Sequence, residues 1–123
     1  MQTRVLRVLV ADDEKSVADS LVMILNSSGY EATAVYSGES AVEAVLRQIP
    51  DVLISDVIME KMTGIEAAGE VLKIAPECRV LLLSGQITTS DLLKDAEDLG
   101  HRFEILPKPI HPSVLLEYLD KYA

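Results

Sequence analysis

Residues 50–56 read Pro50-Asp51-Val52-Leu53-Ile54-Ser55-Asp56: a proline, an aliphatic run and a closing carboxylate. Val52, Leu53 and Ile54 are consecutive rather than alternating with polar residues, which predicts a strand buried on both faces. Similar runs occur at residues 5–11, at residues 80–83 beyond Pro76, and more briefly from Arg102 through Ile105 and Leu106 to Pro107. Residues 31–36 alternate instead, and predict a strand at the edge of the sheet.

Helical patterns fill the intervals. Val17, Leu21, Ile24 and Leu25 share one stripe, and Gly29 suits the position just past that helix's end. Ser37 can cap a second helix that turns Ala41, Ala44 and Val45 inward. Ile65, Ala68 and Leu72 line a third, which ends before Pro76; Gly64 is expected to relieve backbone strain at its start. Thr88 and Asp91 form a loose capping box for a fourth, carrying Leu92, Leu93, Ala96 and Leu99 up to Gly100. Pro112 opens a fifth with His111 at its N-cap and Leu115, Leu116 and Leu119 along it. Strands and helices therefore alternate five times, as expected for a parallel α/β sheet with helices on both faces.

At 123 residues, with 49% hydrophobic residues, the chain suits one folded domain and not a disordered one. The expectation is a single domain over residues 1–123, with no output domain. A net charge of −9 argues against wrapping a nucleic-acid backbone. The one cysteine, Cys78, excludes an internal disulfide and a cysteine-rich metal site. Arg7 interrupts the first apolar run, which has no signal-peptide pattern and falls short of the roughly 18 residues of a membrane span. The cytoplasm is the expected compartment.

The polar residues gather at the ends of these strands. Asp12, Asp13 and Glu14 follow the first, Asp56 closes the third, Ser84 and Gly85 end the fourth, and Pro107-Lys108-Pro109 ends the fifth. In an open α/β sheet the ligand crevice lies beyond the strands' carboxyl ends. Asp12, Asp13 and Asp56 at close range would repel one another unless a cation joined them. Magnesium suits a few carboxylates, waters and a phosphate oxygen; calcium shares the oxygen preference, but no EF-hand spacing is present. Asp56 can act as a nucleophile toward an activated phosphoryl group, with Lys108, Ser84 and nearby backbone amides as donors. Met59 and Met62 are expected to pack the loop, and His101 and His111 to lie at the surface or cap a helix.

The Asp12-Asp13 pair, Asp56-x-x-Met59-x-x-Met62-x-Gly64, Ser84-Gly85 and Lys108-Pro109 together resemble the receiver domain of bacterial two-component response regulators, over essentially the whole chain. The resemblance implies a flavodoxin-like (βα)5 three-layer sandwich of the CheY-like superfamily, with strand order 2-1-3-4-5. It implies that Asp56 accepts a phosphoryl group, that Asp13, Asp12, Asp56 and the Ile58 carbonyl hold Mg2+, and that Mn2+ can substitute. It implies that Ser84 and Lys108 meet the phosphoryl oxygens, and that the Lys108–Pro109 peptide bond is cis. The implied phosphodonor is a sensor histidine kinase or phosphotransfer protein. The chain would carry its own magnesium-dependent phosphorylation and dephosphorylation activity. The implied readout is the face of the fourth helix, fifth strand and fifth helix, presented to a downstream protein, an output domain or a second copy. No membrane or direct nucleic-acid partner is implied.

Three departures bear on switching. Glu60 stands where the family often has proline, Ile105 stands where it often has Tyr or Phe, and Pro107 joins Pro109 around Lys108. Motion is therefore expected to concentrate from Gly85 through Thr89, and Gln86 with Ile58 is expected to tune hydrolysis. Two other readings compete: a receiver-fold interaction scaffold that is not phosphorylated, and a flavin binder. The second is disfavoured by the lack of Trp and the single Phe, Phe103.

Overall fold

In a computed structural model, the structure describes residues 5–85 and 104–122. In chain order the elements are β1 (Arg7–Ala11), α1 (Lys15–Ser27), β2 (Glu31–Val35), α2 (Gly38–Arg47), β3 (Val52–Asp56), α3 (Gly64–Ile74), β4 (Arg79–Ser84), β5 (Glu104–Pro107) and α4 (Pro112–Asp120). The strands form one parallel sheet in the order β2-β1-β3-β4-β5. The helix expected over residues 88–100 lies outside the described residues, as do Gln86 and His101.

The continuous apolar runs have the predicted cause. Leu9, Leu53, Val80 and Leu82 point to one face and pack with Ala41 and Val45 of α2 and Ile65, Ala68 and Val71 of α3. Val8, Val10, Val52, Ile54, Leu81 and Leu83 point to the other and meet Ala18 and Leu25 of α1 and Leu115 and Leu119 of α4. Successive strand residues face opposite ways, so a strand covered on both sides must be apolar at every position. The chain winds outward from β1 to β2, then back across β1 to β3. Keeping one crossover hand while reversing direction moves the helices to the opposite face. That reversal also opens the crevice between β1 and β3.

Local signals set the element ends. The Ser37 hydroxyl accepts the Ser40 N–H at 3.0 Å, as expected of a cap. His111 caps α4 by accepting the Ser113 N–H on Nδ1 at 3.1 Å, with Pro112 in the first turn. Gly29 has φ +95°, the left-handed conformation that ends α1. A complete capping box, Thr63 with Glu66, starts α3; its [ST]-x-x-E spacing is legible in the sequence but lies outside the features expected there. The first strand starts at Arg7 rather than Val5, which is exposed, and the third includes Asp56. Among the described residues, no helix is long and apolar enough to cross a membrane.

Gly64 differs from expectation in its reason. Its backbone is not left-handed, so relief of strain is not its role. A Cβ there would lie 2.1 Å from the Asp56 carbonyl oxygen and 3.0 Å from Ser55 Oγ. The position admits glycine because the loop after β3 folds back onto the end of that strand.

Candidate active site

The sheet delivers four polar residues to its carboxyl edge. Asp12 follows β1, Asp56 closes β3, Ser84 closes β4 and Lys108 follows β5. Backbone bonds carry the ladder one step past the strands: Asp12 N–H to Val35 O at 3.2 Å, Val57 N–H to Leu83 O at 3.0 Å, and Lys108 N–H to Ser84 O at 2.8 Å. These residues are thus fixed by the sheet itself and not by free loops.

One carboxylate oxygen from each of Asp12, Asp13 and Asp56 lies within 4.8 Å of the other two. Asp12 is buried, Asp56 half-buried and Asp13 exposed, so the cluster runs from the core to the surface. Lys108 Nζ bridges Asp12 Oδ2 and Asp56 Oδ2, at 3.2 Å from each. The one ammonium is shared by two of the three carboxylates, which leaves the cluster with an excess of negative charge. Asp12 Oδ1 accepts the Glu14 N–H at 2.9 Å, and Asp13 Oδ2 accepts the Glu60 N–H at 3.2 Å.

Burial pushes the Asp56 carboxyl above the ordinary carboxylate value; Lys108 opposes the rise, Asp12 adds to it, and the Ile58 N–H opposes it. Burial alone would lower the Lys108 pKa, but the charges of Asp56 and Asp12 more than offset this and raise it. Lys108 therefore stays protonated, while Asp56 keeps a cost of ionisation that a single lysine does not remove. The oxygen donor set suits a hard dication such as Mg2+.

The loop after β3 is anchored at several points. Val57 and Met59 are buried, and the Gly64 N–H donates to the Val57 carbonyl at 2.8 Å. Met62 presses on Gly38, where a Cβ would meet its side chain at 2.9 Å. Both methionines pack the loop as expected. Lys61 turns the chain with φ +67°. The Ile58 side chain is exposed while its amide faces Asp56.

Of the remaining predicted residues, Ser84 is buried opposite Pro107. Gly85 lies beside Lys108, with room for a Cβ at 3.7 Å from the Lys108 Cβ. Ile105 pairs with Leu82 and packs on the α2–α3 side of the core. The Lys108–Pro109 bond is cis. Two contributors were not predicted. Ser55 Oγ donates to the Asp56 carbonyl at 2.9 Å, and a hydroxyl inside an apolar run is its signal. The Glu60 amide is a backbone group, and side-chain identity carries no signal for it.

Residues 8–120 match the sequence profile of the response regulator receiver domain, and the chain belongs to that family. It is 32% identical over 118 residues to the chemotaxis protein CheY of Thermotoga maritima, covering 95% of this chain and 97% of that one. It is 29% identical over 115 residues to the receiver protein CpdR of Brucella abortus, covering 94% of each. Against response regulator MprA of Mycobacterium leprae it is 31% identical, and the match spans 90% of this chain but 48% of that protein. Among solved structures, Vibrio cholerae CheY4 superposes with a TM-score of 0.86 at 27% identity, over 98% of this chain and 100% of that one. A CheY-like receiver domain from Methanospirillum hungatei gives 0.87 at 21% identity, over 96% and 93%, and supports the fold alone. The chain is thus a CheY-like receiver domain of the two-component response-regulator type, with an acidic pocket at the carboxyl edge of its sheet.

Proposed function

We propose that the chain accepts a phosphoryl group on the Asp56 carboxylate from the phosphohistidine of a histidine kinase or phosphotransfer protein. The observation that carries this reading is the Asp56 carboxylate, held in the three-acid cluster while paired to Lys108 at 3.2 Å. An Asp56 oxygen attacks phosphorus as the P–N bond breaks, and the bond's electrons return to the imidazole. An acyl phosphate forms on Asp56, and water later hydrolyses it to inorganic phosphate. Asp12, Asp13, Asp56 and the Ile58 carbonyl would hold Mg2+ or Mn2+. When bound, the ion supplies charge neutralisation for the phosphoryl oxygens. Lys108 offers its ammonium to those oxygens and Ser84 its hydroxyl, while Ile58 would border the path of attacking water; Gln86, the other residue expected to tune hydrolysis, lies outside the described residues.

The added phosphate brings about one to two more negative charges and new acceptors. Lys108 and Ser84 turning toward it would bias β5, Gly85 and the segment beyond. Ile105 supplies aliphatic repacking in place of an aromatic swing. The readout surface would be β5, α4 and the helix expected over residues 88–100, presented to a downstream protein, an output domain or a second copy. The reading takes the chain as one receiver domain acting in the cytoplasm, without nucleic-acid or membrane contact of its own.

Intact mass after incubation with Mg2+ and acetyl phosphate tests the proposal. The parent should gain the mass of one phosphoryl group, and neither Asp56→Ala nor an EDTA-treated sample should. No gain from acetyl phosphate or from a panel of histidine kinases, while a control receiver is labelled, would favour the interaction scaffold.

A further inference from the structure

We infer that the backbone N–H of Glu60 is a positioning group for the cation site, holding the Asp13 carboxylate in the acidic cluster before the ion arrives. The inference rests on the cation-binding reading of that cluster and adds a residue to it. The three acids are held in different ways. Asp12 is buried and takes both the Glu14 N–H and the Lys108 ammonium. Asp56 closes a central strand and is paired with Lys108. Asp13 is exposed and one residue further from its strand, and it receives the Glu60 N–H on Oδ2 at 3.2 Å. An exposed aspartate beside two other carboxylates is driven to rotate away from them; a donor on one of its oxygens opposes that rotation.

The donor is well placed for this because the backbone on both sides of it is constrained. Met59, immediately before, is buried in the core beneath α2 and α3. Lys61, immediately after, takes the left-handed turn at φ +67°. The direction of the Glu60 N–H is therefore set by the loop and not by the Glu60 side chain, which is exposed. It follows that residue 60 acts on the ion through a group that every amino acid except proline carries. Preorganising a ligand in this way lowers the ordering cost of binding.

Mg2+ titration followed by NMR of the 15N-labelled chain separates the amide from the side-chain charge. Glu60→Gln keeps the N–H and removes the charge; Glu60→Pro removes both. Glu60→Pro should bind Mg2+ about fivefold to tenfold more weakly than Glu60→Gln, as expected for the loss of one ordinary hydrogen bond at a solvent-exposed group. In the parent, the Glu60 amide should stay protected from exchange as Mg2+ is added, and Asp13→Ala should release it. Equal affinity of the two Glu60 variants would overturn the inference, as would release of the amide on Mg2+ binding. The Asp13→Ala exchange measurement decides the matter even if Glu60→Pro does not fold. A parent that binds no Mg2+ would overturn the cation reading itself, and the positioning role with it.

Discussion

Gly64 and Asp56 touch through their backbones: a methyl group on the Gly64 α-carbon would lie 2.1 Å from the Asp56 carbonyl oxygen. The start of α3 is thereby packed against the strand end that bears the central carboxylate. Gly64→Ala forces either β3 or α3 to shift. The expected result is a loss of about 2 kcal/mol of stability, typical of overpacking, with weaker phosphoryl labelling of Asp56. Denaturant unfolding and intact mass on the same sample check both effects.

Asp56 carries a raised pKa, chiefly from burial. A carboxyl raised in the folded state favours folding while it is protonated, and that contribution is lost as pH rises through the raised value. At neutral pH the metal-free protein therefore bears an uncompensated cost at this position. Asp56→Asn should raise the metal-free midpoint of unfolding at pH 7. The gain should shrink as the pH falls through the raised folded value toward the ordinary carboxylate value of 3.8. Unfolding curves across that range test the sign; a variant less stable than the parent at pH 7 would refute it.

Mg2+ should stabilise the parent by mass action, by about 2.7 kcal/mol at a hundredfold excess over its dissociation constant. EDTA should reverse the gain. Asp13→Asn should lose most of it while keeping nearly its metal-free stability, since Asp13 is exposed. Thermal melts with and without Mg2+ provide the comparison.

Cys78 is buried, and burial pushes its thiol up to about 11. Little thiolate exists at pH 8, and little of the sulfur is accessible. Reaction with a disulfide reagent should be slow in the folded protein and fast in denaturant. Rapid labelling of the native state would contradict this packing.

The strands and the site were legible for one shared reason. A central strand such as β3 shows its burial in Val52, Leu53 and Ile54, and its polar end stands out as Asp56. Asp12, Ser84 and Lys108 are found by the same logic, since each marks where an apolar run stops. What the side-chain pattern carries less well is backbone geometry. Glycine at position 64 signals an unusual demand, but only the folded chain tells a close approach from a left-handed turn. The Glu60 amide is invisible because its donor is common to nearly all residues. The capping box is a different case: Thr63 and Glu66 hold the complete pattern, while the weaker Thr88–Asp91 pair falls in the undescribed segment.

Lys108 gives the pocket a counterion of its own, tethered to the end of β5 and shared between Asp12 and Asp56. A dication entering the cluster does not fill an uncharged hollow; it competes with an ammonium already in residence. Each unit of charge it brings to Asp12 and Asp56 weakens the hold on that tether. Filling the pocket would in this way loosen the grip on the end of the last strand, even before any covalent chemistry takes place.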